Sequence, residues 1–90
     1  MDEEFSVQKH CPMPTVLRIG SCRFHFYSDE GDEPAHIHVD IGEGECKFWL
    51  DPVILARSVN VSAVEVRKIE RLVFENRSFL KGEYDEFHRR

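Results

Sequence analysis

The chain has 90 residues, of which 41% are hydrophobic and 32% are charged, and its formal net charge is −5. This length suits one domain with one modest core, and no apolar run approaches the roughly 20 residues that a membrane-spanning helix needs. The acidic balance argues against a protein that binds nucleic acid through a broad basic surface. We therefore expect a single globular domain with no membrane span.

The amino terminus differs from a secretory signal, in which basic residues precede an apolar stretch, so we expect a cytoplasmic protein. Residues 1–12 show no periodicity and are interpreted as a disordered extension, with Met13 as an alternative start. Residues 13–90 then form the single domain. The cysteine count of three is odd, and we expect Cys22 and Cys46 to lie on apolar strand faces rather than in a disulfide.

Alternating apolar and polar residues predict antiparallel strands in the first half of the domain. A short strand over residues 16–19 leads through a Gly20-Ser21 turn into a strand over residues 22–27. An acidic loop follows, and the next two strands contain His36 and His38 and then residues 45–50. The apolar run 53–56 is short enough to be an edge strand or a helical turn, and we favour the strand.

A helix is predicted after the strands, because Ser62 and Glu65 have the spacing of a capping box and apolar residues then recur with a period of 3.6. It should extend from about Ala63 past Lys81. The predicted fold is therefore α+β: an antiparallel meander of three to four strands with one long C-terminal helix packed on one face.

Two residues of the predicted helix stand out. Asn76 interrupts the apolar stripe, and a buried amide needs partners, so we expect it to bond to a loop backbone near Asp51 or Ala56 and to fix the helix register. Phe74 falls outside the stripe and is a candidate contact for a partner or a second copy.

The strand alternation predicts one polar sheet face opposite the helix. Its expected members are Arg23, His25, Tyr27, His36, His38, Asp40, Glu45, Lys47 and Trp49. The simplest interpretation is a solvated face, because antiparallel sheets commonly leave one face in water and cross-strand polar pairs stabilise sheets without any further function.

A metal site is a second interpretation of this face. Alternate strand residues lie about 7 Å apart on one side, so His36 and His38 can share a divalent ion with Asp40. His25, Asp32 or Glu33 would complete the ligands. No cofactor is required by the pattern, and a divalent metal is the candidate.

RNA binding or cleavage is a third interpretation. One of His36 and His38 would remove the proton of a 2′-hydroxyl, the other would protonate the leaving oxygen, and Arg23 or Lys47 would stabilise the charged phosphorane. The catalytic candidates are therefore His36, His38, Lys47 and Arg23. Tyr27 and Trp49 would stack on unpaired bases and, with His36, His38 and Lys47, form the binding set.

Several motifs together resemble an uncharacterised prokaryotic family known as domain of unknown function 4160. These motifs are Met13-Pro14-Thr15, Pro34-Ala35-His36-Ile37-His38, Lys47-Phe48-Trp49-Leu50-Asp51-Pro52 and Glu75-Asn76-Arg77. His36, His38, Lys47, Trp49 and Asn76 match the family pattern, whereas His25 stands where the family tends to carry an aromatic residue, which argues against an essential role for His25.

The resemblance also implies a setting, because genes of such proteins often lie beside a second small gene in an arrangement like a toxin–antitoxin pair. We therefore expect a protein partner encoded nearby, which binds the face that carries His36 and His38, with RNA as the other ligand of that face. The alternative is a divalent-metal-binding or purely structural interaction module without catalysis, and a homodimer is compatible with either hypothesis.

Overall fold

A computed structural model describes residues 15–27 and 32–88, and this part of the chain forms five strands followed by two helices. The elements are β1 (Thr15–Ile19), β2 (Cys22–His25), β3 (His36–Ile41), β4 (Gly44–Leu50), β5 (Val53–Val59), α1 (Ala63–Glu75) and α2 (Arg77–His88). The strands form one antiparallel meander in the order β1-β2-β3-β4-β5. The α+β class is confirmed, but the expectation of three to four strands is too low.

Tight turns set the register of the meander. Ile19 lies opposite Cys22 and Ile41 lies opposite Gly44, so two residues connect each of these strand pairs. The first turn residue is Gly20 in one case and Gly42 in the other, both at φ 58°, where a residue without a Cβ has no steric penalty. The β2–β3 pair is joined by a longer segment, and its register places Arg23 opposite Asp40 and His25 opposite His38. With these registers, alternate side chains of β2, β3 and β4 fall on common faces.

The hydrophobic core lies between one face of the sheet and the helices. Its fully buried members include Phe24, Ile37 and Phe48 from the three central strands, together with Ile69 and Val73 from α1. Helix α1 packs over β4 and β5, whereas α2 packs against β3 and β4. The histidines and carboxylates of the alternation lie on the other face.

The predicted capping box is present at the start of α1. The backbone N–H of Glu65 donates to Ser62 Oγ at 3.1 Å, and the Ser62 N–H donates to the Glu65 carboxylate at 3.3 Å. These bonds satisfy two donors that the first helical turn leaves without partners. The local sequence therefore defines this helix end.

The expectation of one long helix is wrong, because the helical segment breaks at Asn76 into α1 and α2. Asn76 has φ −111° and ψ 16°, and its side-chain amide donates to the carbonyl of Leu72 at 2.8 Å. The bond to Leu72 replaces the expected bond to a loop near Asp51 or Ala56. The backbone N–H of Asn76 also donates to the Leu72 carbonyl, at 3.1 Å, so Asn76 binds the last turn of α1 through both its backbone and its side chain. Asparagine favours helix ends because its side chain bonds to nearby backbone groups.

The apolar run after Pro52 is strand β5, which is longer than residues 53–56 because it continues to Val59. Cys22 and Cys46 are free thiols buried in the core, as expected. The predicted disordered extension over residues 1–12 and the alternative start at Met13 lie outside the described residues. No helix within the described ranges is both long enough and apolar enough to cross a membrane.

Candidate functional site

The register of the three central strands assembles the polar surface that the alternation predicts. Arg23, Asp40 and Glu45 form one row across β2, β3 and β4, and His25, His38 and Lys47 form the next. His36 lies opposite Trp49 in a third row. We call this surface the histidine face, and it consists of these residues and Tyr27.

The three histidines of this face are buried rather than solvated. His25 and His36 are 0% exposed and His38 is 1% exposed. Aromatic rings lie against them, with ring centroids 4.3 Å apart for Tyr27 and His38 and 5.8 Å apart for His36 and Trp49. The imidazoles therefore form an aromatic layer under the surface, and they are not positioned to contact a large ligand directly.

A charged cluster occupies the row nearest the β3–β4 turn. Arg23 Nη2 donates to Asp40 Oδ2 at 2.6 Å, and His25 Nε2 lies 3.1 Å from Asp40 Oδ1 without the alignment of a hydrogen bond. Burial by itself raises the pKa of Asp40, but contacts with His25 and Arg23 outweigh it and hold this pKa below its ordinary value. Asp40 is consequently a carboxylate at neutral pH.

Glu45 connects this cluster to the aromatic layer. Its Oε2 accepts a hydrogen bond from the Tyr27 hydroxyl at 3.1 Å and lies 3.1 Å from Nδ1 of His38. The contact fixes the orientation of the His38 ring, which also packs 5.7 Å from the ring of His25. His38 is thus directed to Glu45, and Asp40 is directed to His25 and Arg23.

The other end of the face is organised around Lys47 and Glu33. Lys47 Nζ donates to Glu33 Oε1 at 2.7 Å and lies 4.7 Å from the centre of the Trp49 ring. His36 has its Nδ1 2.8 Å from the carbonyl of Pro34, so this ring is directed to the loop before β3. Tyr84 of α2 packs 5.3 Å from His36 and closes this end.

The structure brings the sequence-predicted binding residues onto one face but divides them into two groups. Tyr27 and His38 contact Glu45, whereas His36, Lys47 and Trp49 lie at the end of the face near Glu33. The rings of His36 and His38, which the nuclease interpretation pairs, are 5.3 Å apart and buried, while Arg23 and Lys47 each contact a carboxylate. Of the predicted metal ligands, Asp40 lies close to His25 rather than to His36. Ligating atoms of His25, Asp40 and Glu45 all lie within 4.8 Å of one another.

Two contributions to the histidine face, from α2 and from β5, are not predicted from the sequence. Tyr84 reaches the histidine face from α2, and the apolar stripe of a helix contains no signal for that contact. Strand β5 adds Ile54 and Val59 to the same side of the sheet, opposite Trp49 and Glu45. The apolar run 53–56 is visible in the sequence, but Ile54 and Val59 share one side only because the register of β5 shifts opposite Lys47 and Phe48. Their exposure depends on β5 being the last strand of the described sheet.

Comparison with known proteins gives a family and no described function. Residues 22–85 match the model of a family described as a domain of unknown function, DUF4160. No curated protein and no solved structure matches the chain.

Proposed function

We propose that this chain, which belongs to the DUF4160 family, is a protein-binding module that forms one half of a two-protein, toxin–antitoxin-like assembly. Its partner adds an extended, apolar segment to the free edge of β5 and extends from there onto the rim of the histidine face. The observation that carries the proposal is an exposed apolar edge strand of seven residues. The two-protein setting itself rests on the family resemblance.

Strand β5 has the properties of a docking edge. Within residues 15–27 and 32–88 it pairs with β4 alone, so its outer backbone groups meet no further strand. Ile54 is 51% exposed and Val59 is 49% exposed, and Arg57 is the one charged residue of the strand. Proteins usually protect such an edge with charges or proline, because it can pair with another chain. An added strand would also cover the apolar side chains.

The histidine face continues directly onto this edge. Ile54 lies opposite Trp49, and Arg57 lies opposite Lys47. A segment paired with β5 would therefore reach Trp49 and Lys47, two residues of the binding set expected from the sequence. His36 and His38 would support this contact without touching the partner. Their buried rings pack against one another, and His36 packs against Trp49.

Charge favours a protein partner over RNA. Arg23 and Lys47 lie 2.6 and 2.7 Å from the carboxylates of Asp40 and Glu33, so a phosphate would have to displace a carboxylate from each cation. The net charge of −5 adds long-range repulsion. A general acid or base must also come within about 3 Å of the proton that it transfers, which buried imidazoles do not permit for a polymer in this conformation.

The test is co-expression of the full chain with the product of the adjacent small gene, followed by size-exclusion chromatography and hydrogen exchange. We expect a stable complex in which amides of residues 53–59 become protected. Ile54→Lys and Val59→Lys should each weaken the complex at least tenfold. Phe79→Lys is the matched control, because Phe79 is 47% exposed and lies in α2, which packs against β3 and β4.

Three outcomes would overturn the proposal. The first is an intact complex in both edge variants, and the second is protection confined to α1 around Phe74. The third is a dimer of this chain that uses the β5 edge and excludes the partner. Binding of RNA by the purified chain, with no complex formed, would instead favour the RNA interpretation of the histidine face.

A further inference from the structure

A second feature of the histidine face is independent of the β5 edge. His25, Asp40 and Glu45 come from three adjacent strands, and each offers a ligating atom within 4.8 Å of the other two. Asp40 and Glu45 are directly opposite one another in the register, and His25 lies one row away on the neighbouring strand. Rigid strands thus place one imidazole and two carboxylates around a single point.

Asp40 and Glu45 each use one carboxylate oxygen in the hydrogen bonds and close contacts described above with Arg23, Tyr27 and His38. Asp40 Oδ2 accepts from Arg23 at 2.6 Å, which leaves Oδ1 directed toward His25. The contacts of Glu45 with Tyr27 and His38 use Oε2. Hydrogen bonds to the outer atoms of ligating carboxylates are the usual support of metal sites, because they fix the orientation of the ligands.

His25 supplies the second, independent observation. The ring is 0% exposed, and neither ring nitrogen has a hydrogen-bond partner within the described part of the chain. A buried polar group without a partner costs about 1–3 kcal/mol. Its Nε2 lies 3.1 Å from Asp40 Oδ1, which is an electrostatic contact without the alignment of a hydrogen bond. A cation bound between them would provide the missing partner for this nitrogen.

We propose that His25, Asp40 and Glu45 bind a first-row divalent cation, with Zn²⁺ and Mn²⁺ as the ions to test. One imidazole and two carboxylates suit such ions better than Ca²⁺ or Mg²⁺, which prefer oxygen ligands alone. The side chains of Asp40 and Glu45 are 32% and 27% exposed, so the ion has access from solvent and keeps water in its remaining positions.

Binding requires a small rearrangement of these side chains. Ligands on one ion at about 2.1 Å lie roughly 3 Å apart, so the most distant pair, now within 4.8 Å, must approach. Glu45 has a side chain that is 27% exposed, and rotation of its carboxylate would bring a ligating oxygen toward the other two residues. This site differs from the set of His36, His38 and Asp40 that the sequence suggests. His36 is directed to the carbonyl of Pro34, and His38 contacts the Oε2 atom of Glu45.

The experiment is titration of the full-length protein with ZnCl₂ and with MnCl₂ by calorimetry and thermal denaturation, together with NMR of the histidine side chains. We expect saturable 1:1 binding, a concentration-dependent rise in Tm, and Mn²⁺ broadening that is strongest at His25. Mn²⁺ is informative because it binds thiolates weakly. Binding of Mn²⁺ would therefore report on this site and not on the cysteines. Asp40→Asn and Glu45→Gln should each weaken binding at least tenfold.

A control variant separates this site from non-specific binding to surface carboxylates. Glu43→Gln removes an exposed carboxylate from the adjacent turn, so it should bind as the wild type does. His25→Gln should abolish binding. If that variant does not fold, the two carboxylate variants decide the question. Absence of Zn²⁺ and Mn²⁺ binding would overturn the proposal, as would unchanged affinity in Asp40→Asn and Glu45→Gln or Mn²⁺ broadening centred on His36.

Discussion

The hydroxyl of Tyr84 in α2 donates to the backbone carbonyl of Glu33 at 2.9 Å and so joins the last helix to the loop that precedes His36. Tyr84→Phe keeps the ring that packs on His36 but removes this bond, and a hydrogen bond of this kind contributes about 0.5–1.5 kcal/mol. We expect a loss of that size in the free energy of unfolding, measured by urea denaturation. Phe79→Tyr, at an exposed position of the same helix, should change it by less than about 0.5 kcal/mol.

Gly44 is required where β4 begins close to the end of β5. A Cβ at this position would lie 2.4 Å from the carbonyl oxygen of Asn60 and 2.7 Å from Cγ2 of Val61. Gly44→Ala should therefore destabilise the protein by about 1–3 kcal/mol, as overpacking does elsewhere. Gly82→Ala in α2 is the matched control, because a Cβ at position 82 would have no neighbouring atom within 4 Å. Alanine is also more favourable than glycine in a helix, by up to about 1 kcal/mol. Equal changes in Tm would contradict this explanation.

The capping box at the start of α1 makes a separate prediction. Ser62→Ala leaves the N–H of Glu65 without its side-chain acceptor, so we expect a loss of about 1 kcal/mol in the free energy of unfolding and faster amide exchange in the first turn. Ser78→Ala, at an exposed position within α2, should be neutral or slightly stabilising. If both variants lose stability equally, the effect is not due to capping.

The two core thiols should be unreactive in the folded protein. Burial raises the pKa of Cys22 and of Cys46, and these residues are 7% and 1% exposed. In a Cys11→Ser variant, 5,5′-dithiobis(2-nitrobenzoate) should label both thiols at once in denaturant and at least a hundredfold more slowly in native buffer. Rapid native labelling would mean that the sheet face under α1 opens readily.

Local patterns account for the features that were predicted correctly. Strict alternation sets the faces of β2, β3 and β4, since a one-residue slip would exchange every side chain between the core and the opposite face. Glycines mark the turns before β2 and after β3. The start of α1 follows from Ser62 and Glu65, which lie within one helical turn. The family resemblance is confirmed by the match of residues 22–85 to the family model.

The end of α1 was not predictable from periodicity, because the apolar stripe continues through Leu80 and Tyr84 beyond the break. Helical spacing indicates which residues share a face. It does not indicate whether a side chain donates a hydrogen bond to a backbone carbonyl, as that of Asn76 does to Leu72. The break matters for the site, since it lets α2 depart from the path of α1 and bring Tyr84 to His36.

The sequence by itself determined the meander, the capped start of the helix and the membership of one sheet face, because each depends on spacing within a strand, a turn or a helical turn. Only the tertiary structure decided that the histidines of this face are buried, that Asp40 and Glu45 converge with His25, and that β5 ends the sheet formed by residues 15–27 and 32–88 with an apolar edge. The physical reason is that burial, ion pairing and edge exposure depend on groups distant along the chain, and their distances are set only when the strands adopt their register.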